Sequence, residues 1–171
     1  TTRQLVDQLE LVIDKIRQTY GSHIQIFLVG HSMASDIVIR ASKKKNISSV
    51  VAISPYSTAI TDNFPNDLLL ISGQFEHQLR SKSLDHVKKI TKHATENEAI
   101  LDGNFRRKAS YIKNVGHVSV IYAPQTSKEI NRWLGLNIAD RNIVSTHIVW
   151  IAISAILLLR FFVKVFPLES R

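Results

Sequence analysis

The stretch Ile24-Gln25-Ile26-Phe27-Leu28-Val29-Gly30-His31-Ser32-Met33-Ala34 decides the fold. Its first six residues are short, apolar and rich in β-branched side chains, which predicts a strand. Phe27-Leu28-Val29 points to burial on both faces. Gly30 stops the run. From Met33 to about Lys44 the apolar positions resume helical spacing through Ile37, Val38 and Ala41, until Asn46 breaks it. A strand therefore passes into a helix through a turn of very few residues.

Working outward, Leu5, Val6, Leu9, Val12, Ile13, Ile16 and Tyr20 fall at steps of three and four, predicting a helix that Gly21 ends. Downstream, Ser49 to Ile53 reads as a second strand, closed by Ser54-Pro55. Leu68 to Ile71 reads as a third, stopped by Gly73. Leu84, Val87, Lys88 and Thr91 allow a helix. Thr95 to Asn104 is polar and reads as irregular. Ala109 to Val115 reads as the last strand, and Val120 to Leu134 as a helix packing through Ile121, Ile130, Trp133 and Leu134. Apolar strands separated by helices predict an α/β class domain: a mostly parallel sheet of four visible strands with helices on both faces.

The 171 residues are 44% hydrophobic and 21% charged, an ordinary globular balance. No cysteine is present, which excludes disulfides, thiolate zinc sites and a cysteine nucleophile. Net charge is +8, carried in short clusters such as Lys43-Lys44-Lys45 and Arg106-Arg107-Lys108. Neither is interleaved with aromatic residues as a stacking platform would be, so no nucleic-acid partner is expected. These clusters read as solvated faces or headgroup contacts. The chain opens on Thr1 without a basic-then-apolar leader; the expectation is a fragment whose N-terminus has been cut away.

Gly30-His31-Ser32-Met33-Ala34 lies between the predicted strand and helix, the context in which a serine nucleophile elbow has meaning. A sharp turn there holds the serine strained and exposed, and the Met33 N–H becomes an oxyanion donor. In this the sequence resembles the α/β-hydrolase superfamily, whose pattern is Gly-x-Ser-x-Gly; Ala34 stands at the last position, a small-for-small departure. The resemblance covers roughly Leu5 to Leu134. It implies an acid just past the third strand, where Ser72-Gly73-Gln74-Phe75-Glu76 offers Glu76, and a base in a Gly-His loop, where Val115-Gly116-His117 offers His117. The order Ser32, Glu76, His117 matches the order of nucleophile, acid and histidine in that superfamily. Asp62 is the rival acid, with Asp85 and Asp102 behind it. His31 reads as packing or hydrogen-bonding near the elbow, and His77 as a surface residue. Ser35 and Asp36 suit a helix start. His23, His86 and His93 show no metal-ligand spacing, and no cofactor or metal is expected.

The resemblance implies an incomplete α/β-hydrolase-type domain over 1–137, with N-terminal strands and the second oxyanion donor missing. A transmembrane helix is expected over 143–166, IVSTHIVWIAISAILLLRFFVKVF, with Trp150 and Phe161-Phe162 as interface anchors and Arg160 and Lys164 snorkelling. At about 1.5 Å per residue it would extend about 36 Å, against a hydrocarbon core of about 30 Å. The expected function is a membrane-anchored serine esterase working through an acyl-enzyme, with a lipid or acyl-chain ester suggested by the anchor. The alternative is an inactive hydrolase-like module tethered to the membrane for interaction. Compartment and topology stay open.

Overall fold

The computed structural model describes residues 1–137, 150, 151, 153–158 and 160. The chain divides into two compact units, Thr1–Asn137 and Ile138–Arg171. In the first, the elements are α1 (Thr2–Tyr20), β1 (Phe27–His31), α2 (Met33–Ser42), β2 (Ser49–Ile53), β3 (Asp67–Gly73), α3 (His77–Lys88), β4 (Ala99–Asp102), β5 (Phe105–Ile112), α4 (Ser119–Tyr122) and α5 (Pro124–Leu134). In the second, the described residues are helical.

The sheet has five strands in the order β1-β2-β3-β5-β4. The first four run parallel, and β4 joins β5 antiparallel. The sheet is therefore mixed, a correction to the four-stranded, mostly parallel expectation. The added strand lies inside the polar stretch read as irregular. It is short and mostly exposed, so no apolar alternation betrays it. It is held by main-chain pairing across the Gly103-Asn104 turn, where Gly103 takes φ 55°.

Because side chains alternate across a strand, the sheet builds two cores. Leu28, Val50, Ala52, Leu68, Leu70 and Ala109 face one side, against Ile13, Val38, Ile39 and Val87 of α1, α2 and α3. Val51, Ile53, Leu69, Ile71 and Ile112 face the other, against Val120 of α4 and Trp133 of α5. β2 and β3 are buried on both faces. β1 is not: Val29 is 48% exposed, against the double burial read from its composition. The helix expected as one piece over Val120–Leu134 is two, because Ala123 is extended ahead of Pro124 at the first turn of α5.

The cluster Arg106-Arg107-Lys108 is not a solvated face. On β5 its members alternate. Arg107 is fully buried on one side, donating to the carbonyls of Pro65 (3.0 Å), Thr61 (2.8 Å), His86 (3.3 Å) and Asp62 (3.4 Å). On the other, Arg106 pairs with Asp67 at 2.5 Å and lies 4.1 Å from the Trp133 ring, and Lys108 pairs with Glu129 of α5 at 2.7 Å. Burial would raise the Glu129 pKa; hydrogen bonds from Lys108 and Ser110 outweigh it and hold the carboxyl below its usual range.

The membrane-spanning helix expected over 143–166 is corrected. Among the described residues no helix is long and apolar enough to cross a membrane. Residues 143–149, 152, 159 and 161–166 lie outside the described residues. A crossing needs about 20 residues of apolar helix, and the described residues of this stretch do not supply it. The membrane as a partner, a single-pass membrane localisation and the tethered-module alternative fall with the helix. So does the lipid substrate, which the anchor alone had suggested.

Candidate active site

Parallel pairing puts the C-terminal ends of β1, β2, β3 and β5 along one edge, where open α/β sheets carry their sites. Ser32 follows β1, Glu76 follows β3, and His117 follows β5.

Ser32 has φ 53° and ψ −120°, a left-handed backbone that serine adopts only under constraint. The constraint is visible. The Ser32 N–H donates to Ile53 O at 2.9 Å. Its carbonyl accepts from the Ser35 N–H at 3.0 Å and from Ser35 Oγ at 2.5 Å. Ser35 thus braces the elbow instead of capping the helix, and Asp36 pairs with Arg40 and Ser57. Gly30 makes the tight corner possible: a Cβ there would lie 2.5 Å from the Ala34 carbonyl oxygen. Ala34 itself is exposed, so its methyl group does not crowd the turn. Met33 opens α2, and its N–H has no acceptor one turn earlier in the helix.

Glu76 is held by a short loop stitched to the end of β5, with the Gln74 N–H on Ile112 O at 2.8 Å and the Phe75 N–H on Val115 O at 3.2 Å. Its side chain is 6% exposed. One carboxylate oxygen, Oε1, lies 2.6 Å from His117 Nδ1. The other, Oε2, accepts from Ser54 Oγ at 2.8 Å and from the Gly73 N–H at 2.5 Å. Gly73 permits this packing, since a Cβ there would meet the Val115 carbonyl oxygen at 2.6 Å.

His117 Nε2 lies 3.0 Å from Ser32 Oγ. A carboxylate only accepts hydrogen bonds, so Nδ1 carries the hydrogen and Nε2 is left to accept from the serine hydroxyl. The His117 carbonyl is 2.8 Å from His31 Nε2, which donates to it, and the two rings lie 4.9 Å apart. His31 therefore ties the loop that carries His117 to the turn at Ser32, by a hydrogen bond as well as by ring contact.

The other titratable candidates lie elsewhere. Asp62 is in an exposed loop, its carboxylate taken by the Asn63 N–H at 3.1 Å. Asp102 ends β4, exposed. Asp85 and His86 line a groove of about 400 Å³ between residues 55–58 and α3, with Lys82 and Lys89; none of Ser32, Glu76 or His117 lines it. His86 is pushed down to about 4 by burial first, then by Lys89 and Arg107. His77 is exposed at the start of α3.

Sequence reasoning missed Ser54 and the Gly73 N–H as partners of Glu76. Ser54-Pro55 was legible only as a strand end. A left-handed φ of 47° at Ser54 and the approach of its hydroxyl to Glu76 have no local signature.

No protein-family model and no curated protein matches the chain. It is similar to a solved structure described as a predicted CIB-like hydrolase from Thermoplasma acidophilum, with 15% identity and a TM-score of 0.52. The match covers 78% of this chain and 60% of that one. The fold thus resembles, weakly and in part, that of a predicted hydrolase. This is coarser than the superfamily assignment with a membrane anchor drawn from the motifs, and replaces it.

Proposed function

We propose that the protein is a serine hydrolase that cleaves a carboxylic ester through an acyl-enzyme. The observation that carries this reading is the chain of contacts Ser32 Oγ–His117 Nε2 (3.0 Å) and His117 Nδ1–Glu76 Oε1 (2.6 Å), within reach for proton transfer without rearrangement.

In this reading His117 Nε2 takes the Ser32 proton as Oγ attacks the ester carbonyl carbon. The C–O π bond opens to an oxyanion, and the Met33 N–H at the start of α2 is the donor this chain offers it. Collapse expels the alcohol, protonated by the His117 imidazolium, and leaves an ester on Ser32. Water, deprotonated by His117, then releases the acid. Glu76 keeps Nδ1–H pointed at itself and stabilises the imidazolium without taking its proton. The likeness of the fold to a hydrolase fold supports the reaction class at its coarsest level.

The test uses a fluorophosphonate, which reacts with an activated serine, and p-nitrophenyl acetate. The wild type should be labelled on Ser32 and turn over the ester. Ser32→Ala should lose both, with kcat falling by about 10⁴ or more, while its melting temperature stays within a few degrees. Labelling of Ser32→Ala at the wild-type rate rejects the nucleophile; an unlabelled, folded wild type favours an inactive hydrolase-like scaffold.

A further inference from the structure

Ser54 stands just past β2, between the strands that carry the nucleophile and the acid, and is 1% exposed. Its N–H continues the parallel ladder by donating to Ile71 O at 2.6 Å. Its φ of 47° lies in the left-handed region, which glycine, asparagine or aspartate would fill more readily if only a turn were needed. That conformation carries its hydroxyl to Glu76 Oε2 at 2.8 Å.

Resting on the reading of Ser32, His117 and Glu76 above, we infer that Ser54 is a positioning residue for hydrolysis, acting through the Glu76 carboxylate. Glutamate has one more rotatable bond than aspartate. Here the side chain is nearly buried, so water does not orient it. Three donors fix the carboxylate plane: Ser54 Oγ and the Gly73 N–H on Oε2, and His117 Nδ1 on Oε1. The Gly73 donor belongs to the backbone and survives any substitution. Among the described residues the Ser54 hydroxyl is the one side-chain group that holds the far oxygen, and through it the direction of Oε1. Without it the carboxylate keeps two donors, one on each oxygen, and can rotate about the line between them; the imidazole loses its fixed orientation, and Ser32 is activated less often.

The test is a double-substitution cycle on the full chain, read by the second-order rate of Ser32 phosphonylation and by kcat and KM on p-nitrophenyl acetate. Ser54→Ala removes the hydroxyl. Ser54→Gly removes it while accepting the positive φ, and serves if the alanine variant folds poorly. Both should slow phosphonylation and lower kcat about tenfold, with KM within twofold. Glu76→Ala should lower the rate further, and Ser54→Ala/Glu76→Ala should match Glu76→Ala within twofold, because Ser54 then has no carboxylate to hold. A purely structural serine gives losses that multiply in the double variant; that result, or wild-type rates in both Ser54 variants, overturns the inference while leaving Ser32 as nucleophile. A folded wild type that is never phosphonylated rejects the catalytic reading itself, and this inference with it.

Discussion

At the scale of single residues, the site shows how burial and hydrogen-bond supply select side chains. A nearly buried carboxylate needs donors, and Ser54, Gly73 and His117 provide them. His86 is the opposite case: its Nδ1 is buried without a hydrogen-bond partner among the described residues, and its pKa is pushed down to about 4 from 6.5, burial being the main cause. The folded protein therefore binds this proton less readily than the unfolded chain. Between pH 6.5 and about 4 the unfolded state holds more of it, so this residue makes stability fall as the pH falls through that window and contributes no slope above it. Thermal melts from pH 7 to 4 should show the decline, and His86→Asn should flatten it; Arg107 keeps its bond to the residue-86 carbonyl in that variant. An unchanged slope in His86→Asn would reject the assignment.

At the scale of elements, the strand-to-helix corner depends on the absence of one atom. The Gly30 Cβ position lies 2.5 Å from Ala34 O and 2.9 Å from Ser35 N, and these are backbone atoms at the first turn of α2. Gly30→Ala must push α2 away from β1. It should destabilise the fold by about 1–3 kcal/mol, as overpacking does, and slow phosphonylation of Ser32 by tilting the elbow. Urea unfolding and the labelling rate measure the two effects; a variant with wild-type values of both would mean that the corner relaxes freely. The same scale explains where pattern reading worked. β2 and β3 are continuous apolar runs because they sit inside the sheet with helices on both faces. β4 carries an apolar run of only three residues, Ala99-Ile100-Leu101, and is a mostly exposed edge strand held by its partner's main chain, while β1, also apolar, lies at the other edge with Val29 open. Composition is similar in β1 and β2; the number of neighbours is not.

At the scale of the whole molecule, the buried clusters formed by the described residues draw on Thr1–Asn137. We expect a chain ending at Asn137 to unfold cooperatively in urea and to react with the fluorophosphonate within about threefold of the full chain's rate. A non-cooperative transition would show that the remaining residues complete the core. The apolar run 143–166 made a spanning helix the simplest reading, yet the described helical residues do not extend to one.

Local chemistry by itself determined the alternation of helix and buried strand, because periodicity and β-branched runs answer to which faces meet water. It also marked Gly30-His31-Ser32, Glu76 and Gly116-His117 as candidates, since each follows a strand-like run. Only the tertiary structure decided that these side chains lie 3.0 Å and 2.6 Å apart, that Ser54 reaches Glu76, and that Arg107 lies inside the molecule rather than on its surface. Those outcomes depend on which strands become neighbours and in what register. Pairing of that kind joins residues tens of positions apart, and no local window of sequence contains both partners.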